Sequence, residues 1–290
     1  MAVFRIICLW TIGDHETKEE MEMKAATILT VLWSFCWMIQ GIAGNPVHKP
    51  SEFRQSAGYG PPLTEAELSC IPVYAKSATY RNNSEGNDII PFPFASKNAY
   101  LGNKWPNPSQ IPYEIDSTFD EKGRCAIGNA MNAYHKNTCI RFVPRTNEVD
   151  YVQIRRLNIT GWSCNSMGLG YYQNYGAHQV NLAPACYASQ TGTTMHELMH
   201  RVGFHHEHTR PDRDNYVNVI WANIDSSWQS QYAIATGSDL ILSYDYGSVM
   251  HYGLGTEMTT KQNLKRALVG QRYGFSKLDV MKLNRMYCKL

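Results

Sequence analysis

The residues most able to carry out chemistry lie together in one segment of this chain. It reads His196-Glu197-Leu198-Met199-His200-Arg201-Val202-Gly203-Phe204-His205-His206-Glu207. Residues four apart share one face of a helix, so His196 and His200 can direct their imidazoles to one point. Gly203 can adopt the positive φ that ends a helix and turns the chain, which would return His206 as a third ligand. Three neutral imidazoles with one open coordination position are typical of a catalytic zinc site, so we expect one Zn²⁺ ion per catalytic domain.

Glu197 adds a base to this candidate site. It directly follows the first ligand, so it can hold a water beside the metal without binding the metal itself. The pattern predicts hydrolysis by a zinc-bound water with Glu197 as general base. His205 and His208 fall outside the ligand spacing, and we interpret them as loop residues or as residues that support the ligands.

A histidine-rich surface patch is the alternative interpretation of this segment. The chain has ten histidines, and the two-histidine motif alone would arise by chance in about one such chain in a hundred. When the glycine and the third histidine are included, the probability that the motif arises by chance falls to roughly a few in a hundred thousand chains, at a glycine frequency of ~7%. The metal site is therefore the favoured interpretation.

The segments that must position this motif mix helical and strand patterns. Apolar residues at helical spacing predict an amphipathic helix within 119–136. Short apolar or alternating runs predict strands at 111–115, 140–143, 151–154 and 179–182. This mixture predicts the α+β fold class.

Composition limits the kind of protein this can be. Of the 290 residues, 43% are hydrophobic and 18% are charged, which allows a packed core and argues against wholesale disorder. The formal net charge of +2 is too small to indicate a nucleic-acid partner. Eight cysteines favour an oxidising compartment.

The first 97 residues have sequence patterns that are typical of targeting and processing segments. A lysine, an apolar run from 25 and small residues after it predict a secretory signal peptide at 21–44, preceded by an upstream extension at 1–20. The apolar run is short of the ~20 residues that span a bilayer, although a signal anchor is the alternative. Residues 45–97, rich in Pro, Ser, Asn and Gly, read as a pro-segment before a protease domain at 98–290. We therefore expect a secreted, extracellular protein with no membrane association once the signal is removed.

A second motif follows the histidine segment and identifies a family. Ser248-Val249-Met250-His251-Tyr252 matches the methionine turn that lies beneath the three-histidine site of metzincins. Glu207 directly follows the third histidine, where serralysins carry Pro and adamalysins carry Asp. With the flanking runs at 139–145, 206–217, 270–272 and 287–288, the chain resembles the astacin family of metalloendopeptidases from about residue 98 onward.

This resemblance implies a two-lobed metzincin catalytic domain, with a zinc-binding active-site helix and a cleft between the lobes. It implies a zinc metalloendopeptidase of class EC 3.4.24 that acts on protein or peptide substrates. Tyr252 would be a displaceable additional zinc ligand with a catalytic role, and Met250 and Glu207 would have structural roles. The substrate would add a strand to 179–182, although an ordinary core strand is the alternative there. Three cations, Lys261, Lys265 and Arg266, either meet an acidic substrate side chain or form a solvated face.

The resemblance also implies two disulfides, Cys139–Cys288 and Cys164–Cys186. Cys70 and Cys125 are left over, and a bridge between them is a further hypothesis. The helical pattern puts Cys125 opposite the apolar face, so exposure of this cysteine is the alternative. Asn82 and Asn158 begin glycosylation sequons, which matter if the chain is secreted.

The final expectation concerns latency. In relatives a pro-segment Asp occupies the water position on zinc, and Asp88 is the nearest match here, with a solvated loop residue as the alternative. An activating protease would cleave after Lys97, and the new amine would fold toward Glu207, because a buried carboxylate needs a cationic partner. A secreted binder that keeps zinc only for structure is the rival function, but such a binder is expected to lack Glu197.

Overall fold

The structure is a computed structural model that describes residues 58–70, 89–90, 99, 101–159, 163–188, 191–236, 238–264 and 267–288. The predicted signal peptide and upstream extension lie outside these residues, and so do Asp88, Lys97 and Asn82. No helix in the described ranges is long and apolar enough to cross a membrane.

A mixed sheet forms the frame of the described residues. Its strands in chain order are β1 (Ile89–Ile90), β2 (Ile111–Ile115), β3 (Phe142–Pro144), β4 (Tyr151–Arg156), β5 (Cys164–Met167) and β6 (Ala177–Leu182). In space the order is β1-β5-β6-β4-β2-β3, with β5 antiparallel to β6 and every other pair parallel. A separate antiparallel pair joins β7 (Val217–Val219) and β8 (Met258–Thr260).

The position of β6 corrects one prediction. Residues 179–182 lie in a strand that pairs with β4 on one side and β5 on the other, so the expected edge strand is wrong and the core-strand alternative is right. The reason is burial: His178, Val180, Asn181 and Leu182 are all buried, as in an interior strand. Of the two strands that flank β6, β5 is the nearer to the edge of the sheet, and only β1 lies beyond it.

The helices pack against this sheet and around the histidine segment. They are α1 (Glu65–Ser69), α2 (Glu121–Asn137), α3 (Pro184–Ala188), α4 (Gly192–Arg201), α5 (Gln229–Tyr232) and α6 (Lys277–Tyr287). The predicted helix is α2, which begins where the Asp120 side chain accepts a hydrogen bond from the Gly123 N–H at 2.8 Å. Tyr134 of α2 is fully buried and donates to the Met195 carbonyl of α4 at 2.8 Å. The predicted α+β class is confirmed.

Residues 58–70 have more structure than their composition predicts. Thr64 and Glu67 form a capping box that starts α1, a helix too short to show a period. Glu67 forms an ion pair with Arg124 of α2, and the Leu63 N–H donates to the Tyr113 hydroxyl at 3.1 Å. This part of the predicted pro-segment is therefore packed against α2 and β2.

Three disulfides join distant parts of the described chain. Cys139–Cys288 and Cys164–Cys186 are the pairs that the resemblance implied, and Cys70–Cys125 is the bridge that the leftover cysteines suggested. They close loops of 149, 22 and 55 residues respectively. The longest of these loops contains the histidine segment.

Loop length predicts how much each of two bridges stabilises the fold. Replacing Cys139 and Cys288 by Ser should lower the free energy of unfolding by about 5 kcal/mol, because the bridge closes a 149-residue loop. The matched Cys164→Ser, Cys186→Ser variant opens a 22-residue loop and should lose about 3 kcal/mol. Urea unfolding of both variants measures the difference, and a larger loss from the shorter loop would contradict the prediction.

Candidate metal centre

Helix α4 carries the first two predicted ligands. His196 and His200 are buried on one face, and their Nε2 atoms lie 3.1 Å apart. Each Nδ1 is 2.6–2.8 Å from a backbone carbonyl oxygen, that of Val249 for His196 and that of Phe204 for His200. A carbonyl can only accept, so each Nδ1 carries the hydrogen and each Nε2 presents a lone pair.

A tight turn brings in the third ligand. Gly203 has φ of +94°, a conformation that residues with a Cβ rarely adopt, and the chain reverses there. The N–H of Gly203 donates to the His200 carbonyl at 2.9 Å, and His206 then returns to the helix. Ligand nitrogens of His196, His200 and His206 all lie within 4.8 Å of one another. The structure brings the three predicted ligands together.

The donor set fits zinc. Two imidazole nitrogens around tetrahedral Zn²⁺, at ~2.0–2.1 Å from the ion, are separated by roughly 3.3 Å. The 3.1 Å between the Nε2 atoms of His196 and His200 is close to that value, and with both hydrogens on Nδ1 no hydrogen lies between them. Burial, reinforced by neighbouring histidines, holds the pKa values of His200 and His206 well below their usual range. Both rings are therefore neutral, as metal ligands must be.

Glu197 is held by a serine of β5. The Ser166 hydroxyl lies 2.7 Å from the Glu197 backbone carbonyl and 3.1 Å from its carboxylate Oε2, and both residues are buried. Composition and spacing gave no sign of Ser166, because β5 reads Cys-Asn-Ser-Met and lacks an alternating apolar pattern. The contact fixes the predicted base beside the first ligand.

The second motif lies against the third ligand. The ring of Tyr252 is buried, with its centroid 4.4 Å from that of His206. Met250 is buried in the main apolar core, and its carbonyl accepts a hydrogen bond from the Glu207 N–H at 2.9 Å. The turn at 248–250 therefore supports both ends of the histidine segment, through Val249 at His196 and Met250 at Glu207.

Asp279 at the start of α6 fixes this turn. Its carboxylate accepts from the Ser248 hydroxyl at 2.6 Å and from the Val249 N–H at 2.8 Å, and it also accepts from Ser276 in a capping box. Burial raises the pKa of Asp279 to about 6, while Lys282 and the donated hydrogen bonds act in the opposite direction. A chain of contacts thus runs from α6 through the Val249 peptide to the imidazole of His196.

Lys282 supplies the cationic partner that Glu207 needs. Its Nζ lies 2.7 Å from both carboxylate oxygens of Glu207, and Arg210 and the Asp245 N–H contact Oε1 at 3.2 and 2.8 Å. These partners already compensate the charge of Glu207, so it does not need the new amine. Sequence reasoning predicted a cation but not Lys282. No local pattern indicates Lys282, because it lies 75 positions from Glu207 in the sequence.

Arg201 is a buried charge that sequence reasoning did not single out. Its side chain is fully buried on α4, and its three guanidinium nitrogens have no hydrogen-bond partner within the described ranges. Burial lowers the pKa of Arg201 to about 10, so the group stays charged at neutral pH. Glu197 lies one turn earlier on the same helix and acts electrostatically on Arg201.

The remaining predicted residues lie around the centre or away from it. His205 and His208 are not part of the three-histidine group found in the described chain. The Lys261 ammonium donates to the Asp214 carbonyl at the surface, and Lys265 and Arg266 lie outside the described residues. Asn158 is exposed just after β4, where a glycan would be sterically allowed.

The chain is similar to known proteins in sequence and in fold. The sequence model of the peptidase family described as Astacin matches residues 97–288. The chain is 36% identical over 230 residues to zinc metalloproteinase nas-4 of Caenorhabditis elegans, covering 72% of this chain and 70% of that protein. It is also 36% identical over 200 residues to zinc metalloproteinase nas-8 of Steinernema carpocapsae, of which it spans 44%. Among solved structures, high choriolytic enzyme 1, a hatching enzyme zinc-protease of Oryzias latipes, has a TM-score of 0.58 at 33% identity. This match covers 68% of this chain and 100% of that one.

The contact of Asp279 with the turn at 248–250 makes a testable contribution to metal binding. Asp279→Asn should weaken zinc affinity about 10-fold or more, because the amide puts a donor where Ser248 or Val249 also donates, and the turn that orients His196 loosens. The matched control is Asp225→Asn, which changes an exposed carboxylate that accepts from Ser227. Competition with a chromogenic zinc chelator measures both constants. Equal affinity in Asp279→Asn and the control would contradict the proposed chain of contacts.

Proposed function

The chain belongs to the astacin family of zinc metalloendopeptidases, and from this we propose that it is a secreted endopeptidase made as a latent zymogen. Its two-lobed α+β catalytic domain binds zinc through His196, His200 and His206. The observation that carries the proposal is the convergence of three buried imidazoles within 4.8 Å, immediately beside Glu197.

The side chains of the centre divide the work of hydrolysis. When bound, zinc supplies Lewis acidity that makes water nucleophilic near neutral pH and stabilises negative charge on oxygen. Glu197 accepts the proton of the attacking water and delivers it to the leaving amine. Ser166 limits the rotation of this carboxylate through its 3.1 Å hydrogen bond. Tyr252 would be a displaceable ligand of that zinc, and its displacement would make room for the substrate carbonyl.

The substrate is proposed to run beside β5. Backbone pairing with a sheet edge binds an extended peptide with little dependence on its side chains. The strand β1 holds this position in the structure, with Ile89 opposite Ser166 and Ile90 opposite Met167. Because Ser166 contacts Glu197, a peptide in the position of β1 passes close to the base.

The same pairing supports a latency device at Asp88. Residue 88 directly precedes β1, so the pro-segment reaches the edge of β5 one residue after the proposed blocking carboxylate. Residues 58–70 are bound to α2 and β2, which anchors the segment at a second place. A pro-segment held in this way competes with substrate for β5, and its cleavage after Lys97 would release that competition.

The proposed mature start is also structured. Ala99 is buried and forms an antiparallel bridge with Phe204, two residues before the third ligand. The Asp239 N–H donates to its carbonyl at 3.3 Å. A chain beginning at Asn98 would therefore enter the domain beside the histidine segment, on the way to Glu207.

Secretion and glycosylation are supported by separate features. Three disulfides are expected of a protein that folds in an oxidising compartment. The sequon at Asn158 is exposed and follows a strand end, where an oligosaccharide has room.

The role of Glu197 is testable with one substitution. Glu197→Gln should lower kcat on a peptide substrate by at least about 100-fold, because the amide cannot accept the proton from water. Zinc stoichiometry should stay at one per domain, because the three ligands are untouched. Full peptidase activity with zinc bound would contradict the assignment, and a structural zinc protein would lack activity in both forms.

Latency is testable by substitution and by sequencing. Asp88→Ala should give a zymogen that cleaves peptide before removal of the pro-segment, measured against the uncleaved wild type. N-terminal sequencing of the active enzyme should start within a few residues of Asn98. A fully latent Asp88→Ala zymogen would contradict the first expectation, and an active enzyme that retains 45–97 would contradict the second.

A further inference from the structure

His208 packs beside both Tyr252 and His206, and the His206 and Tyr252 rings also contact each other. Its ring centroid is 4.2 Å from that of Tyr252, with 30° between the planes, and 5.3 Å from that of His206. The side chain is fully buried. A residue in this position contacts the phenol ring over one face and influences where that ring can lie.

The position of His208 is fixed from the far side. Its Nε2 is 3.2 Å from the Gln231 carbonyl at α5, and its own carbonyl accepts from Arg213 at 3.1 Å. The same Arg213 nitrogen donates to the Tyr232 carbonyl at 2.8 Å. Arg213 therefore ties the His208 backbone to α5, and the Nε2 contact with Gln231 holds the imidazole against the same helix.

The other nitrogen of the ring has no such bond. The Gln231 carbonyl can only accept, so the imidazole carries its hydrogen on Nε2 and presents a lone pair at Nδ1. This Nδ1 is buried and has no hydrogen-bond partner within the described residues. A buried acceptor left unsatisfied is unfavourable, so it favours any state of the molecule that supplies a donor.

We propose that His208 is a positioning residue for Tyr252: its ring holds the phenol beside His206, and its Nδ1 accepts the phenolic hydrogen when Tyr252 leaves the metal. The inference rests on the proposed peptidase function and explains what stabilises the displaced tyrosine. When Tyr252 is displaced, its hydroxyl and Nδ1 of His208 form a hydrogen bond with each other. Displacement by substrate then costs less, because a hydrogen bond forms as the metal contact is lost.

Kinetics can test this inference through a double-mutant cycle. In enzyme activated from the full chain, His208→Phe keeps a ring but removes the acceptor, and should lower kcat/KM about 3- to 10-fold. In the Tyr252→Phe background the same change should have less than about a 2-fold effect, since no phenolic hydrogen remains to be accepted. Equal effects in both backgrounds would overturn the inference, because His208 would then act on packing in general.

A spectroscopic readout separates this inference from peptidase activity. With Cu²⁺ replacing zinc, a phenolate–copper charge-transfer band would report Tyr252 on the metal. Acetohydroxamic acid can be titrated to displace it, and it gives its own proton to the released phenolate. His208→Phe should require about 3- to 10-fold more hydroxamate to remove the band. An unchanged titration would overturn the proposal even if activity falls.

Asparagine provides the matched rescue. Its amide oxygen can take the place of Nδ1, so His208→Asn should restore hydroxamate displacement toward the wild-type midpoint, whereas His208→Gln, which mimics Nε2, should not. This pair also tests the inference if His208→Phe fails to fold, and equal midpoints in the two variants would overturn it. If the wild type cleaves no peptide, the proposed function fails, and the copper titration still decides the role of His208.

Discussion

Three imidazole rings whose nitrogens lie within 4.8 Å of one another can bind a cation in buried space only if all three are neutral. Burial favours the neutral form, but it does not decide which nitrogen keeps the hydrogen. Two backbone carbonyls decide it, those of Phe204 and Val249, by accepting from the Nδ1 atoms. The turn at Gly203 supplies the first carbonyl and the loop at 248–250 supplies the second. Much of the surrounding fold therefore serves the metal centre by holding two peptide groups still.

The two acids of the histidine segment have different environments, and this difference separates their roles. Glu207 has a lysine ammonium 2.7 Å from each carboxylate oxygen, so its charge is compensated and its oxygens are occupied. Glu197 is held by the neutral hydroxyl of Ser166, which orients the carboxylate without compensating its charge. A carboxylate whose two oxygens are both held by an ammonium is not free to bind a metal. The ion pair with Lys282 thus keeps the second acid out of the chemistry.

The ligands were predictable from sequence because they are local: a helical turn and one glycine fix the geometry within eleven residues of chain. The interior strands β2 and β4 and the helix α2 were predictable because burial on one or both faces leaves a pattern. Strand β5 was not, since Ser166 is there to contact Glu197 and the strand carries no apolar alternation. The partner of Glu207 could be predicted only as a type of residue. Lys282 is 75 positions away, and local patterns do not contain contacts of that range.

The centre depends on residues from the end of the matched domain. Asp279 holds the loop that orients His196, Lys282 neutralises Glu207, and Cys288 closes the longest covalent loop. During translation the histidine segment leaves the ribosome about eighty residues before these supports do. A nascent chain that has reached only the methionine turn has the three histidines without the contacts that fix them. Synthesis of α6 is thus a checkpoint in time, because the metal site lacks its supports until that helix is made.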